Sequence, residues 1–277
     1  MTEKLILDGN RVADWMKEVL VERIGVLSKR GIVPCLATVL VGSNPSSATY
    51  VKMKGNACRK LGMRSIRVDL PENTTTSELI EEINKLNEDP NVHGILLQHP
   101  VPPHIDERTA FDAIRIEKDV DGVTTLGYAQ NAFGIAQFPS CTPAAIMAIL
   151  AYYDLEVAGK HAVVIGRSPI LGKPVSAMLL NSNATVTTCH SRTANLEEIV
   201  RLGDIVVAAV GKPNFVKGSW IKQGAIVLDA GYNAGNVGDV DYKSCLLNAS
   251  AITPVPAGVG PVTIATLLKH TVDAAER

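Results

Sequence analysis

Tyr50 and Lys54, in the stretch YVKMK, lie four residues apart and so share one face of any helix that spans them. An amine kept partly out of water releases its proton more readily, and a neighbouring phenol can hold or relay one, so the pair suits proton transfer. Two further polar residues join them as candidates. Gln98 closes the apolar run GILLQ, at the strand end where α/β sites collect. Asp121, in KDVDG, is a carboxylate able to accept two N–H bonds from a ring such as an aminopyrimidinone, although a turn-stabilising aspartate would read the same way.

A second set of residues suits a phosphorylated ligand. HAVVIG runs straight into Arg167-Ser168-Pro169, and Gly172 then opens a helical stretch, giving the strand–turn–helix context of a phosphate-binding turn without the usual GxGxxG. Gly166, Arg167 and Ser168 would present backbone N–H groups and a helix start to an anion. An NAD-type site carries Asp or Glu at the end of the next strand to hold the ribose hydroxyls. Here that position reads Cys189-His190-Ser191-Arg192, with no carboxylate. A serine hydroxyl and an arginine, with Arg167 nearby, suit a 2′-phosphate, so NADP is the expected cofactor.

Positioning these groups requires an α/β chain. Apolar residues at helical spacing mark 11–30, ending at Gly31, and 50–62, ending at Gly62. Residues 76–89 form a third such stretch, with Thr76 or Ser77 as its cap. Short apolar runs at 35–42, 65–70 and 92–98 read as strands, with SNPSS as a turn-rich loop after the first. Residues 117–141 read as an irregular connector, and a helix is expected to start at Thr142-Pro143. Runs at 160–166, 184–189, 204–211 and 225–231 predict four strands of a dinucleotide-type sheet, and an amphipathic helix follows Pro261. The reading is two lobes: an N-terminal α/β catalytic domain over 1–120, joined by the C-terminal helix 261–277, and a Rossmann-like NADP-binding domain over 140–255.

Composition narrows the class. Aromatics make up 4% of 277 residues, which leaves packing to Val, Ile, Leu and Ala, a diet suited to parallel sheets covered on both faces. A formal charge of −1 with no long basic run argues against nucleic acid. No stretch reaches 18 consecutive apolar residues and the N-terminus has no signal core, so no membrane span or export is expected. Five cysteines without a CxxC pair read as reduced thiols, and the six histidines match no zinc spacing, so no metal is assigned.

With these residues in hand, the sequence resembles the bifunctional methylenetetrahydrofolate dehydrogenase/methenyltetrahydrofolate cyclohydrolase family. The stretches VGSNPSSATYVKMK, GILLQHPVP, EKDVDGV, CTP, VVIGRSPILGKP, CHSRT, DIVVAAVGKP, VGDVDY and TPVPAGVGPVT run in family order from about residue 40 to the last helix. The resemblance implies oxidation of 5,10-methylenetetrahydrofolate with NADP and hydrolysis of the product to 10-formyltetrahydrofolate. It implies Lys54 as the main catalytic residue, with Tyr50 and Gln98 orienting it and Asp121 holding the pterin ring. Pro256, Gly258, Val259 and Gly260 would line the substrate pocket; Gly166, Arg167, Ser168, Ser191 and Arg192 would hold NADP, with Tyr232 beside the nicotinamide. It further implies a cytoplasmic homodimer in one-carbon metabolism, serving purine biosynthesis, with its cleft between the lobes.

Four positions depart from the family pattern. Ala257 stands where a second glycine is usual, so the loop must avoid positive φ there or accept strain. Val262 replaces a common methionine, Thr124 a frequent histidine, and Tyr232 a smaller aliphatic. Two other readings remain open at this point. A shikimate-type NADP dehydrogenase would oxidise a hydroxyl with a Lys/Asp pair, and a non-catalytic nucleotide-binding regulator would leave Lys54 dispensable. Short-chain dehydrogenases share the YxxxK spacing, but there the motif follows the nucleotide-binding turn, whereas here it precedes Gly166 by more than 100 residues.

Overall fold

A computed structural model describes residues 4–277. Along the chain, β1 (Leu5–Ile6) leads to α1 (Gly9–Lys29), β2 (Cys35–Val41), α2 (Pro45–Lys60), β3 (Arg64–Leu70), α3 (Thr76–Glu88) and β4 (Gly94–Leu97). After α4 (Glu107–Asp112) and a 3-10 turn at Ile116–Lys118 come α5 (Thr125–Ala132) and α6 (Cys141–Tyr152). The remainder alternates: β5 (His161–Ile165), α7 (Gly172–Asn181), β6 (Thr185–Cys189), α8 (Leu196–Val200), β7 (Ile205–Ala208), β8 (Ile226–Asp229), α9 (Tyr242–Leu246), β9 (Ala251–Ile252) and α10 (Val259–Ala275).

The contacts divide the chain into two units. One comprises Trp15–Gln130, Ala136–Cys141 and Ile264–Arg277. Its sheet runs β3-β2-β4, all parallel. Every residue of β2 is buried, as its unbroken apolar run requires of a central parallel strand, whereas β3 alternates between half-buried and exposed along the sheet edge. Leu20, Ile24 and Leu27 of α1 pack with Leu36, Leu96, Leu267 and Leu268 into one core. Helix α3 is capped by Thr75, one residue before the expected cap. Thr75 and Glu78 form a reciprocal capping box, the Glu78 N–H donating to Thr75 Oγ1 at 3.2 Å and the Thr75 N–H to Glu78 Oε2 at 2.8 Å. The glutamate three positions on is what selects Thr75 over Thr76 and Ser77.

The other unit comprises residues up to Asp14, Asn131–Ile135 and Thr142–Thr263. Its sheet runs β1-β9-β8-β7-β5-β6, with every pairing parallel. Two strands were not expected, β1 and β9, each two residues long and too short for a periodic signal. The β1–β9 ladder, with Leu5 opposite Ala251, corrects the assignment of residues 5–6 to the N-terminal lobe and places them in this sheet. Three smaller corrections concern helix bounds. The stretch taken as connector holds α5, α6 begins at Cys141 rather than Thr142, and α10 begins at Val259, so that Pro261 sits in its first turn, where a missing N–H costs nothing.

All five cysteines are free and buried. Among the described residues no cluster of three or more His, Cys, Asp or Glu is placed to hold a metal, and no helix is long and apolar enough to cross a membrane.

Candidate active site

Helix α2 starts earlier than its loop-like SNPSS sequence suggests. Asn44 Oδ1 accepts the Ser47 N–H at 3.1 Å, and Pro45 follows at the first helical position, where its fixed φ fits and no donor is lost. Val51, Gly55 and Cys58 bury one stripe of the helix, leaving Tyr50 and Lys54 half-buried on an adjacent one. Lys54 Nζ donates to Gln98 Oε1 at 3.1 Å. Gln98 is itself held: its backbone N–H extends the ladder to Val39 O at 2.8 Å, and its Nε2 donates to His99 O at 2.7 Å. With the amide nitrogen spent on His99, the oxygen must point at the amine. Burial pushes the Lys54 amine below the ordinary lysine value, while the charge of Asp121 pulls it partly back. Two of the four predicted catalytic residues, Gln98 and Asp121, therefore act on the amine of a third, Lys54, with Tyr50 one turn before it.

Asp121 is presented by a tightly built turn. The neighbouring Asp119 is fully buried, its carboxylate accepting the N–H groups of Val123 and Thr124, each at 3.0 Å. Burial raises its pKa, and these donors work against that rise. The two acids of KDVDG thus differ: Asp119 is spent inside the turn, whereas Asp121 stays half-buried. Sequence reading singled out Asp121 alone, because nothing in the spacing says which acid turns inward.

In the other unit, β5 and β6 end side by side, with Ile165 opposite Cys189, and the Gly166 N–H donates to Cys189 O at 2.9 Å. That register brings Gly166, Arg167 and Ser168 next to Ser191 and Arg192. Gly166 has φ +134°, and a methyl there would stand 2.2 Å from Ala209 O; one at Gly172 would stand 2.3 Å from Gly166 O. Glycine is required at both points for the turn to close onto the start of α7. Arg167 and Arg192 are exposed, and among the described residues neither guanidinium is engaged in an ion pair or hydrogen bond. Two uncommitted cations flanking a serine, with no carboxylate nearby, fit a phosphate on the ribose better than a bare diol.

Tyr232 follows β8, two strands from β5, and its phenol donates to Asn236. Sequence reading missed the residue that shapes the loops around it. Asp239, fully buried, accepts the N–H groups of Val210, Gly211 and Lys212 at 2.6, 2.8 and 2.9 Å and that of Asn233 Nδ2 at 3.0 Å. Asp229 receives Gly231, Asp239 and Val240 N–H groups in turn, and burial lifts its carboxyl to about 6 despite them. The only sequence signal was the stretch VGDVDY. Pro256 and Gly258 lie in a turn before α10, and Val259 and Gly260 begin that helix. Between them Ala257 has φ +78°, so the backbone accepts strain at that position.

A parallel sheet with a glycine-tight phosphate turn in one unit, and a half-buried amine held by an amide in the other, define the class as a nucleotide-dependent dehydrogenase. Residues 7–121 match the catalytic domain of tetrahydrofolate dehydrogenase/cyclohydrolase, and residues 140–277 its NAD(P)-binding domain. The chain belongs to the tetrahydrofolate dehydrogenase/cyclohydrolase family. It is 67% identical to the bifunctional protein FolD of Shouchella clausii, over 100% of this chain and 99% of that one. Among solved structures it resembles the bifunctional enzyme FolD of Campylobacter jejuni, with TM-score 0.95 and 43% identity over 98% of each chain. It also resembles the Trypanosoma brucei enzyme complexed with NADP and an inhibitor, with TM-score 0.96 and 39% identity over 100% and 99% of the two chains. Shikimate dehydrogenase from Aquifex aeolicus shares only the fold, at TM-score 0.56 and 14% identity over 87% and 96% of the two chains.

Proposed function

We propose that this protein oxidises 5,10-methylenetetrahydrofolate to 5,10-methenyltetrahydrofolate with NADP and hydrolyses that product to 10-formyltetrahydrofolate, with Lys54 as the residue on which the second step depends. The observation that carries the reading is the amine of Lys54, lowered in basicity by burial and held by Gln98, whose own amide is anchored to the backbone.

Oxidation takes hydride from a carbon flanked by two nitrogens, whose lone pairs stabilise the cation left behind, so no protein base is needed there. Bound NADP supplies the hydride acceptor, and Gly166, Arg167, Ser168, Ser191 and Arg192 would hold it, with Tyr232 on the nicotinamide side. In hydrolysis, water adds to the cationic carbon and must lose a proton; one ring nitrogen then takes a proton as its bond to carbon breaks, and the new hydroxyl gives its own proton to solvent as the formyl C=O forms. An amine of reduced basicity can receive the first proton and return the second, which ordinary lysine would do poorly near neutrality. Asp121 would hold N–H groups of the pterin, Tyr50 would border the amine, and Pro256, Gly258, Val259 and Gly260 would line the pocket. Action as a homodimer in the cytoplasm, feeding one-carbon units to purine biosynthesis, completes the reading.

Following methenyltetrahydrofolate by absorbance tests it. Wild type is expected to form and then consume this species with NADP. Lys54→Ala should lose hydrolysis by a factor on the order of 10²–10⁴, the range for a missing acid–base group. A wild-type protein inert to folate but oxidising a hydroxyl substrate would replace this reading with the shikimate-type one. NADP binding with Lys54→Ala indistinguishable from wild type in every assay would make the protein a nucleotide-binding regulator.

A further inference from the structure

The turn that presents Asp121 is held from outside as well as from within. Val120 O, the carbonyl of the peptide joining Val120 to Asp121, receives two donors: His270 Nδ1 at 2.9 Å and the Cys141 thiol at 3.2 Å. The Cys141 backbone N–H donates to Asp121 O at 3.1 Å, and the Ser140 hydroxyl to Gly122 O at 2.7 Å. The peptide planes on both sides of the Asp121 α-carbon are therefore pinned, and they set the direction in which its Cα–Cβ bond leaves the backbone.

His270 is the long-range member of this set. It comes from α10, 150 residues away in sequence, and is 3% exposed. A carbonyl can only accept, so Nδ1 carries the ring proton. With that proton committed, the Cys141 thiol 3.6 Å from Nδ1 finds its acceptor in the same carbonyl. Burial pushes the imidazole down to about 4, so the ring is neutral at physiological pH and serves as a fixed donor. Its plane is braced by Phe138, with ring centroids 5.6 Å apart. Val120 also packs on β4, the strand that leads into Gln98: a methyl at Gly94 would stand 2.6 Å from Val120 Cγ2. Movement of this peptide would thus disturb both Asp121 and the approach to Gln98.

We propose that His270 is a positioning residue for the folate reaction: its Nδ1–H fixes the Val120–Asp121 peptide, and through it the carboxylate that meets the substrate ring. The inference rests on Asp121 binding the pterin.

Three variants test it. Asparagine places an amide N–H where histidine has Nδ1, glutamine places it one bond too far, and leucine fills the space without a donor. His270→Leu and His270→Gln are expected to raise the KM for the folate about tenfold in both activities, with the KM for NADP within twofold of wild type. His270→Asn should recover to within threefold. In an Asp121→Ala background His270→Leu should add less than a twofold change, because the group it acts through is gone. Multiplying effects in that background, or equal KM values for the asparagine and leucine variants, would overturn the proposal. Crystal structures of wild type and His270→Leu decide the point without turnover. A rotated Val120–Asp121 peptide supports the positioning role, and an unmoved one overturns it. Should wild type prove inert to folate, the assignment of Asp121 fails, while the crystallographic comparison still judges the clamp.

Discussion

Ala257→Gly should make this protein more stable, an outcome opposite to the usual effect of introducing glycine. At φ +78° the alanine Cβ crowds its own backbone, at a cost of roughly 1–2 kcal/mol. The conformation is imposed by its surroundings: Ala257 O accepts the Gly9 N–H at 2.7 Å, which ties the turn to the start of α1. Glycine removes the crowding but loses about 0.5–1 kcal/mol more chain entropy on folding. The balance favours glycine by roughly 0.5–1 kcal/mol, or about 1–4 °C in Tm for domains of this size. Scanning calorimetry of wild type and variant would register it. Gly9→Ala serves as the opposing control, since its new methyl would lie 1.7 Å from Gly258 O and must displace the turn. An Ala257→Gly protein melting below wild type would refute the claim of stored backbone strain. A folate KM changed more than threefold at equal stability would show instead that the alanine methyl bears on the substrate.

Two other expectations can be checked with simple measurements. Ser191→Asp sets a negative charge between Arg167 and Arg192 and should raise the KM for NADP roughly 30- to 100-fold while changing that for NAD far less; equal effects on both cofactors would remove the 2′-phosphate assignment. Lys54→Met should raise Tm by about 1–3 °C near pH 7 even as hydrolysis is lost. The sign follows from the lowered basicity of Lys54. Between the folded and unfolded lysine values the unfolded chain binds the extra proton, so the native amine costs stability that is regained as pH rises. The advantage of methionine should therefore shrink as the pH approaches 10, and a constant or growing advantage would contradict it.

Much of this architecture is written locally. The helical spacing that places Tyr50 beside Lys54, the unbroken apolar run of β2, and the acid-free end of β6 are properties of a few neighbouring residues, and they survive any rearrangement of the rest.

What the tertiary structure alone decides are partners. Lys54 reaches Gln98 only because β4 pairs with β2 in the register that sets Val39 against Leu97. Burying Asp119 in its turn while Asp121 stays half-buried, sending β1 to the second sheet, and bringing His270 to Val120 are all settled by packing summed over distant segments. Periodicity reports which face of an element is apolar, whereas the residue it will meet depends on how every other element competes for the same face. For that reason the spacing of the phenol and the amine was legible from the sequence, and the scaffold around them was not.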